Sequence, residues 1–423
     1  MSIQSFLPPV IIACGSYMLI RLRFFTFLSP HRVLGRCRRT LSSKKARSNL
    51  ALALAGTLGV GNIVGVAVGI SVGGSGALFW ILISSVFSSV LKYSEATLSS
   101  YCGNCGYGFM PVLEHFFPRR GRMLGRLYAM CCLLLSFVLG AALQSSAVFG
   151  VSGLEEQHAL LVWCAMSLSA MLIVARGGEI IRRFTLRVVP LATLAYVLLC
   201  LFVILRNIAD VPTVLARVIS SAFTVDGGAG GAVGAITSKA VGEGFSRGLL
   251  SNEAGAGTSS LATSDGVEHP TDAGILGLLE VVFDTVLLCT LTGLAVLVCI
   301  PDPTVYISGA QLVRESIGAE LGAFSSVLVT CLIFVFAFST VVCWYYYGIR
   351  CLSYLTKRFV GIYTAAFLGC VAFLPVVGES VLFCVSDVLL LILTLLTVTC
   401  IIKGSDKIRT LSELSGLFPF TRR

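Results

Sequence analysis

Apolar stretches of about twenty residues, the length that crosses a hydrocarbon core about 30 Å thick, recur along this 423-residue sequence with no long polar interval between them. That feature restricts the chain to one integral membrane domain. Composition agrees: 56% of residues are hydrophobic, 12% are charged and mean hydropathy is +0.92, against roughly 25% charged residues in a soluble domain. An ordinary soluble protein is excluded. The first stretch, Phe6 to Ile20, has no basic residue before it and runs directly into Arg21, Leu22 and Arg23. It lacks a small-residue cleavage site and reads as a retained helix, not a signal peptide.

The hydropathy pattern predicts an all-α polytopic protein of about eleven transmembrane helices, at 6–20, 47–71, 77–101, 124–150, 159–175, 187–206, 231–258, 273–300, 322–349, 359–376 and 378–402. The net charge of +10 reports topology, because the basic residues cluster between apolar runs. Arg21, Arg23, Arg32, Arg36, Arg38, Arg39, Lys44, Lys45 and Arg47 form a basic loop after span one. Arg119, Arg120 and Arg122 follow span three, Arg176, Arg182 and Arg183 span five, Lys357 and Arg358 span nine, and Lys403 to Arg423 form a basic tail. By the positive-inside rule these segments are cytoplasmic, which puts the N-terminus outside and the C-terminus inside.

Two spans depart from a continuous helix. Span two carries Gly56, Gly59, Gly61 and Gly65 around Thr57 and Asn62, and span seven carries Gly242, Gly244, Gly248, Gly255 and Gly257 around Ser251, Asn252 and Glu253. Backbone leaves the helix at membrane depth only where protein or a water-filled cavity satisfies its polar groups. The two interruptions lie five spans apart. This spacing divides the chain into an N-terminal helix and basic loop (1–46), two five-helix units (47–206 and 207–402) and a tail (403–423). Such spacing points to a secondary transporter with inverted repeats and a midplane site.

The polar groups inside these spans have a functional and a structural reading each. At Gly59-Val60-Gly61-Asn62, freed carbonyls and amides can face a cation and a carboxylate, or the glycines serve close helix packing. Ser251-Asn252-Glu253 is either a midplane site or a helix end with Asn252 as its cap. Gln144, Ser145 and Ser146 can bond a zwitterion or a neighbouring helix. Asp284, next to Thr285, needs a cation, a proton or a donor. Ser339 and Thr340 can complete an oxygen cage or bond back to their own helix, and the Trp344-Tyr345-Tyr346-Tyr347 run also suits an interfacial belt. The 16 cysteines sit mostly in apolar runs and imply no disulfides, and Cys102 to Cys105 is an isolated C-x-x-C. The four histidines are scattered, and no nucleophile–base pair, phosphate loop or haem motif is present. The sequence does not read as an enzyme and implies no cofactor.

Four stretches resemble the alanine/glycine:cation symporter family, the sodium:alanine symporters. They are Gly56 to Ala67 continuing through Gly73 to Trp80 and Lys92-Tyr93-Ser94-Glu95; Arg247 to Gly257; Glu280 to Thr285; and the Phe338-Ser339-Thr340 to Trp344-Tyr345-Tyr346-Tyr347-Gly348 run. With Gly177-Gly178 and Val189-Pro190, the similarity covers about residues 10 to 355. Departures are Val60 where many members have Thr, Ser75 in place of a common Pro, and a weak match after 376 apart from Asp387.

The resemblance implies a LeuT-like fold of five-plus-five inverted repeats with one extra N-terminal helix. It implies symport of a small neutral amino acid, alanine or glycine, with sodium as the coupling ion, across the cell membrane. Gly59, Gly61, Asn62, Gln144, Ser251, Asn252 and Trp344 would line the amino-acid pocket. Ser339 and Thr340, with carbonyls near Ala55 and Leu58, would hold sodium. Asp284, Thr285 and Glu253 are the candidates for a further cation or a proton. Proton coupling and a transporter-like sensor are the competing readings.

Overall fold

The computed structural model describes residues 6–103, 106–151, 166–170, 178–223, 239–264, 266–301, 309–373 and 377–418. The main helices, in chain order, are α1 (Leu7–Arg21), α2 (Pro30–Ser42), α3 (Lys44–Thr57), α4 (Gly61–Gly73), α5 (Gly76–Tyr101), α6 (Gly121–Gly150), α7 (Gly178–Arg206), α8 (Val211–Ala222), α9 (Lys239–Asn252), α10 (Pro270–Cys299), α11 (Gly309–Leu321), α12 (Ala323–Leu355), α13 (Val360–Phe373), α14 (Glu379–Lys403) and α15 (Ser405–Leu414). Among the described residues, six helices are long and apolar enough to cross a membrane, and α3 with α4 makes a seventh, bent by 51° at its break. The apolar helices α1 and α13 are shorter and coincide with expected spans one and ten. Most of expected span five (159–175), the start of span seven (231–238), the loop at Glu155 to His158, Cys105 and Gly177 lie outside the described residues.

The basic segment expected as a loop is largely helical. In α2 the buried residues Val33, Cys37 and Thr40 fall on one face, the 3.6-residue period of an amphipathic helix, and Arg38 and Arg39 are exposed. Arg36 Nε lies 2.7 Å from Asp272 Oδ1 and Thr40 Oγ1 donates to the same oxygen at 2.9 Å. Asp272 also accepts the His269 N–H at 3.2 Å, so one carboxylate caps the start of α10 and anchors α2. The segment after α7 and the tail are likewise amphipathic. Val214, Val218 and Ala222 bury one side of α8, and Ser412 of α15 shares a 2.7 Å hydrogen bond with Tyr93.

Helix α5 is the central post, with α9 and α10 packed directly on it. A Cβ at Gly244 would lie 2.5 Å from Trp80 Cβ and 2.7 Å from the Ala77 carbonyl, and one at Gly248 would collide with Ser84 Oγ. Small residues at this spacing let membrane helices meet at backbone distance. Part of the glycine content of span seven therefore serves packing. Gly255 and Gly257 do something different: with Glu253 they take φ values of +82°, +76° and +53°, a left-handed path that ends α9 and keeps the chain out of helix through Ser259. Residues 253–264 remain buried, and the helix that resumes, Ser260–Thr263, is a single turn. The first interruption, in contrast, continues into the 13 residues of α4.

Candidate functional site

Three spans widen into π-helical segments: Gly61–Gly65 at the head of α4, Ser136–Ala142 inside α6 and Val282–Cys289 inside α10. Such bulges redirect side chains that a regular helix would stagger. Here they turn polar groups of different spans toward the two breaks.

At the second break Asn62, Ser251, Asn252, Asp284 and Thr285 form one connected network, each at most 1% exposed. Asn62 Nδ2 donates to Asp284 Oδ1. Ser251 Oγ stands 2.6 Å from Asp284 Oδ2 and 3.0 Å from Asn62 Oδ1, so its one proton serves two acceptors. Thr285 Oγ1 donates to Asp284 Oδ2 at 2.9 Å and accepts from Asn252 Nδ2 at 2.9 Å. Asn252 Oδ1 takes the Ala254 N–H at 2.9 Å. Asn252, the last residue of α9, thus closes the turn that follows its helix while reaching α10, so the helix-end and site readings of this residue are compatible. A Cβ at Gly61 would touch Ser251 Cα at 3.4 Å, which shows how closely the two broken spans approach.

At the first break, Gln144 Oε1 accepts the Val60 N–H at 3.1 Å while its Nε2 donates to the Leu139 carbonyl within the α6 bulge, also at 3.1 Å. Thr340 Oγ1 donates to the Ala55 carbonyl at 2.9 Å, tying α12 to the end of α3. Gly59 is held between them: a Cβ there would lie 2.6 Å from Thr340 Oγ1 and 3.0 Å from Gln144 Oε1. Ala55, Leu58, Gly59, Gln144 and Thr340 are thus gathered around one turn of unwound backbone, with the Leu58 side chain buried.

Two residues sit apart from these groups. Ser339 Oγ bonds back to the Phe336 carbonyl of its own helix at 2.9 Å. Trp344 is fully buried against Tyr347 and against Gly140 in the α6 bulge, and its Nε1 makes no hydrogen bond.

A second polar layer lies behind the network; the sequence singles out its Glu253 as a candidate for a cation or a proton and gives Lys92, Glu95 and Glu280 no role. Lys92 Nζ, on α5, is 3.4 Å from Glu280 Oε1 and 3.7 Å from Glu95 Oε1, with all three side chains 0% exposed. Glu95 Oε2 accepts the N–H groups of Gly255 and Gly257 at 2.9 and 3.1 Å, and Glu253 Oε2 accepts from Thr258 Oγ1 at 2.5 Å. The Ala256 carbonyl takes Tyr128 OH at 2.7 Å and Thr397 Oγ1 at 3.3 Å. Four of these hydrogen bonds satisfy a stretch of non-helical backbone that hydrocarbon alone would leave unpaired. Lys92 and Glu95 were visible as charges in an otherwise apolar span, which is by default a functional signal.

Chemically, these two clusters offer amides, hydroxyls and one carboxylate at the junction of the broken spans, and carbonyl and hydroxyl oxygens beside the first break. Among the described residues no group of three His, Cys, Asp or Glu side chains is disposed to hold a metal ion.

Comparison with known proteins gives these features a family context. The chain is 32% identical over 354 residues to the sodium/alanine symporter AgcS of Methanococcus maripaludis, covering 78% of this chain and 76% of that relative. It is 30% identical over 387 residues to an uncharacterised transporter of Haemophilus influenzae, covering 88% and 85%, and 26% identical over 402 residues to the amino-acid carrier protein AlsT of Bacillus subtilis, covering 93% and 85%. A solved manganese transporter of Eremococcus coleocola superposes with a TM-score of 0.49 at 14% identity, over 88% of this chain and 91% of that one. The model of the sodium:alanine symporter family matches residues 1–411, and with these polar spans and relatives in view the chain is a multi-pass membrane transporter belonging to that family.

Proposed function

We propose that this transporter is a sodium-coupled symporter of a small neutral amino acid, alanine or glycine, working by alternating access in the cell membrane. The observation that carries the reading is the convergence of Asn62, Ser251, Asn252, Asp284 and Thr285 from two interrupted spans and the bulged α10. A zwitterion entering there exchanges these hydrogen bonds for its own. Its carboxylate faces the N-terminal end of α4, where the helix dipole favours negative charge, and its ammonium faces Asp284. A small substrate side chain is what the family resemblance implies, and the close packing around Gly59 and Gly61 is compatible with it. Gln144 holds the first break open by its bond to the Val60 N–H.

Sodium is a hard cation that takes oxygen ligands. Thr340 Oγ1 and the Ala55 carbonyl lie together at the end of α3, and the Leu58 carbonyl and Ser339 are the further ligands of this reading. Eleven spans in a five-plus-five inverted repeat, with the N-terminus outside and the basic segments inside, complete the proposal. Names borne by relatives support it, since AgcS is a sodium/alanine symporter.

Substrate competition in sealed proteoliposomes tests the reading. Saturable uptake of labelled alanine or glycine should be competed by similarly small amino acids and poorly by Phe or Arg. Binding without counterflow supports a sensor instead, and uptake driven by a pH gradient without sodium supports proton coupling.

A further inference from the structure

The buried layer behind the network carries more negative than positive charge. Lys92 is surrounded by Glu95 on its own helix, Glu280 on α10 and Glu253 at the second break, all between 0% and 2% exposed. Three carboxylates against one ammonium leave two negative charges uncompensated if all are ionised. Burying an unpaired charge is costly enough that the group takes up its neutral form instead.

The hydrogen bonds do not supply what the charges lack. Glu95 Oε1 receives no hydrogen bond, although it is fully buried and turned into the cluster. Ser259 and Thr57 present neutral hydroxyls to Glu280, which add no positive charge. The other titratable groups facing Glu253 are Asp284, Tyr128, Cys132, Cys343 and Tyr347, and none adds positive charge.

The three carboxyls are not equivalent. Glu280 and Glu95 have Lys92 within 4 Å, and Glu95 Oε2 also accepts two backbone N–H groups. Both arrangements hold a carboxylate ionised. Glu253 has a single hydroxyl partner, Thr258, which can reverse its direction and accept.

We propose that the Lys92–Glu95–Glu253–Glu280 cluster is a proton-binding site separate from the amino-acid network, with the proton resident on Glu253. The proton comes from bulk water and forms one O–H bond on the Glu253 carboxyl, which then donates to Thr258 Oγ1. It neutralises the residue that begins the unwound stretch 253–259, so this stretch stays seated against α5 and α10. The inference does not require that alanine, glycine or sodium be the cargo.

Infrared spectroscopy of the purified transporter in lipid, without amino acid, reads this proton directly as the carbonyl stretch of a neutral carboxylic acid. Wild-type protein at neutral pH should show this band, it should shift when glutamate alone is carbon-13 labelled, and it should fade as pH rises. Glu253→Gln should abolish the glutamate band, Lys92→Met should strengthen it by forcing a further carboxyl to protonate, and Asp284→Asn should leave it in place. The labelled wild-type spectrum needs no substitution, so a variant that fails to fold does not block the test. Absence of a glutamate-labelled band, or a band that survives Glu253→Gln, overturns the proposal. Because no amino acid is added, that failure is distinct from a failure to transport.

Discussion

Ser251 and Asp284 meet side chain to side chain, Oγ to Oδ2 at 2.6 Å, across the junction of a broken helix and a bulged one. Their contact closes a network in which each polar group satisfies another. Removing one member leaves its partner buried and unpaired, which is the basis of the first prediction.

Asn62→Ala and Asn252→Ala each remove an amide that bonds α10. The loss is about 1–3 kcal/mol if the opposing group stays buried, and about 1.4 kcal/mol is tenfold in affinity. Apparent affinity for the transported amino acid should therefore fall by about tenfold to a hundredfold, read from uptake saturation curves on variants shown to be folded. Unchanged affinity in both would remove the substrate from this junction.

Gly59→Ala tests the crowding at the first break. Its methyl group would lie 2.6 Å from Thr340 Oγ1 and 3.0 Å from Gln144 Oε1. Overpacking of this kind costs about 1–3 kcal/mol, so uptake should drop strongly while the protein still reaches the membrane, whereas Gly65→Ala, with nothing within 4 Å of its Cβ position, should be mild. Equal activity of the two variants would contradict the tight packing of Gly59.

The two neighbouring hydroxyls of α12 should behave differently. Thr340 reaches the Ala55 carbonyl of another helix, while Ser339 is bonded to Phe336 within its own. Thr340→Val is expected to raise the sodium concentration for half-maximal uptake severalfold, and Ser339→Ala to raise it less. Sodium titration of initial rates checks this, and a sodium dependence untouched by Thr340→Val removes that hydroxyl from the cation site.

Much of the site was legible because its signals are violations of the apolar rule. Glycines beside Asn62, and Ser251 to Glu253 within a hydrophobic run, stand out in a span that should contain neither. Asp284 is equally visible. What the sequence does not carry is partnership: nothing in it joins Lys92 to Glu280, or Glu95 to the amides of Gly255 and Gly257, because those pairs arise from packing of separate helices. The three π-helical segments have no compositional signature. Helix α2 was hidden for another reason, since its many arginines read as a topology marker and its apolar period at Val33 and Cys37 is short. Which hydroxyl turns to a neighbour and which to its own helix, as at Thr340 and Ser339, depends on the distance between α12 and α3.

Topology offers a further check. Arg38 is exposed on α2, within the segment proposed to be cytoplasmic. A single cysteine at this position, in a background without native cysteines, should resist membrane-impermeant reagent in intact cells and react after permeabilisation. Reaction from outside reverses the orientation.

The central claim is that the interrupted spans bind an amino acid whose movement is driven by sodium. Initial uptake of labelled alanine into proteoliposomes, with inward sodium and proton gradients imposed separately at two pH values, tests it most directly. The account predicts accumulation that requires the sodium gradient at both pH values. Accumulation indifferent to sodium at both would contradict it.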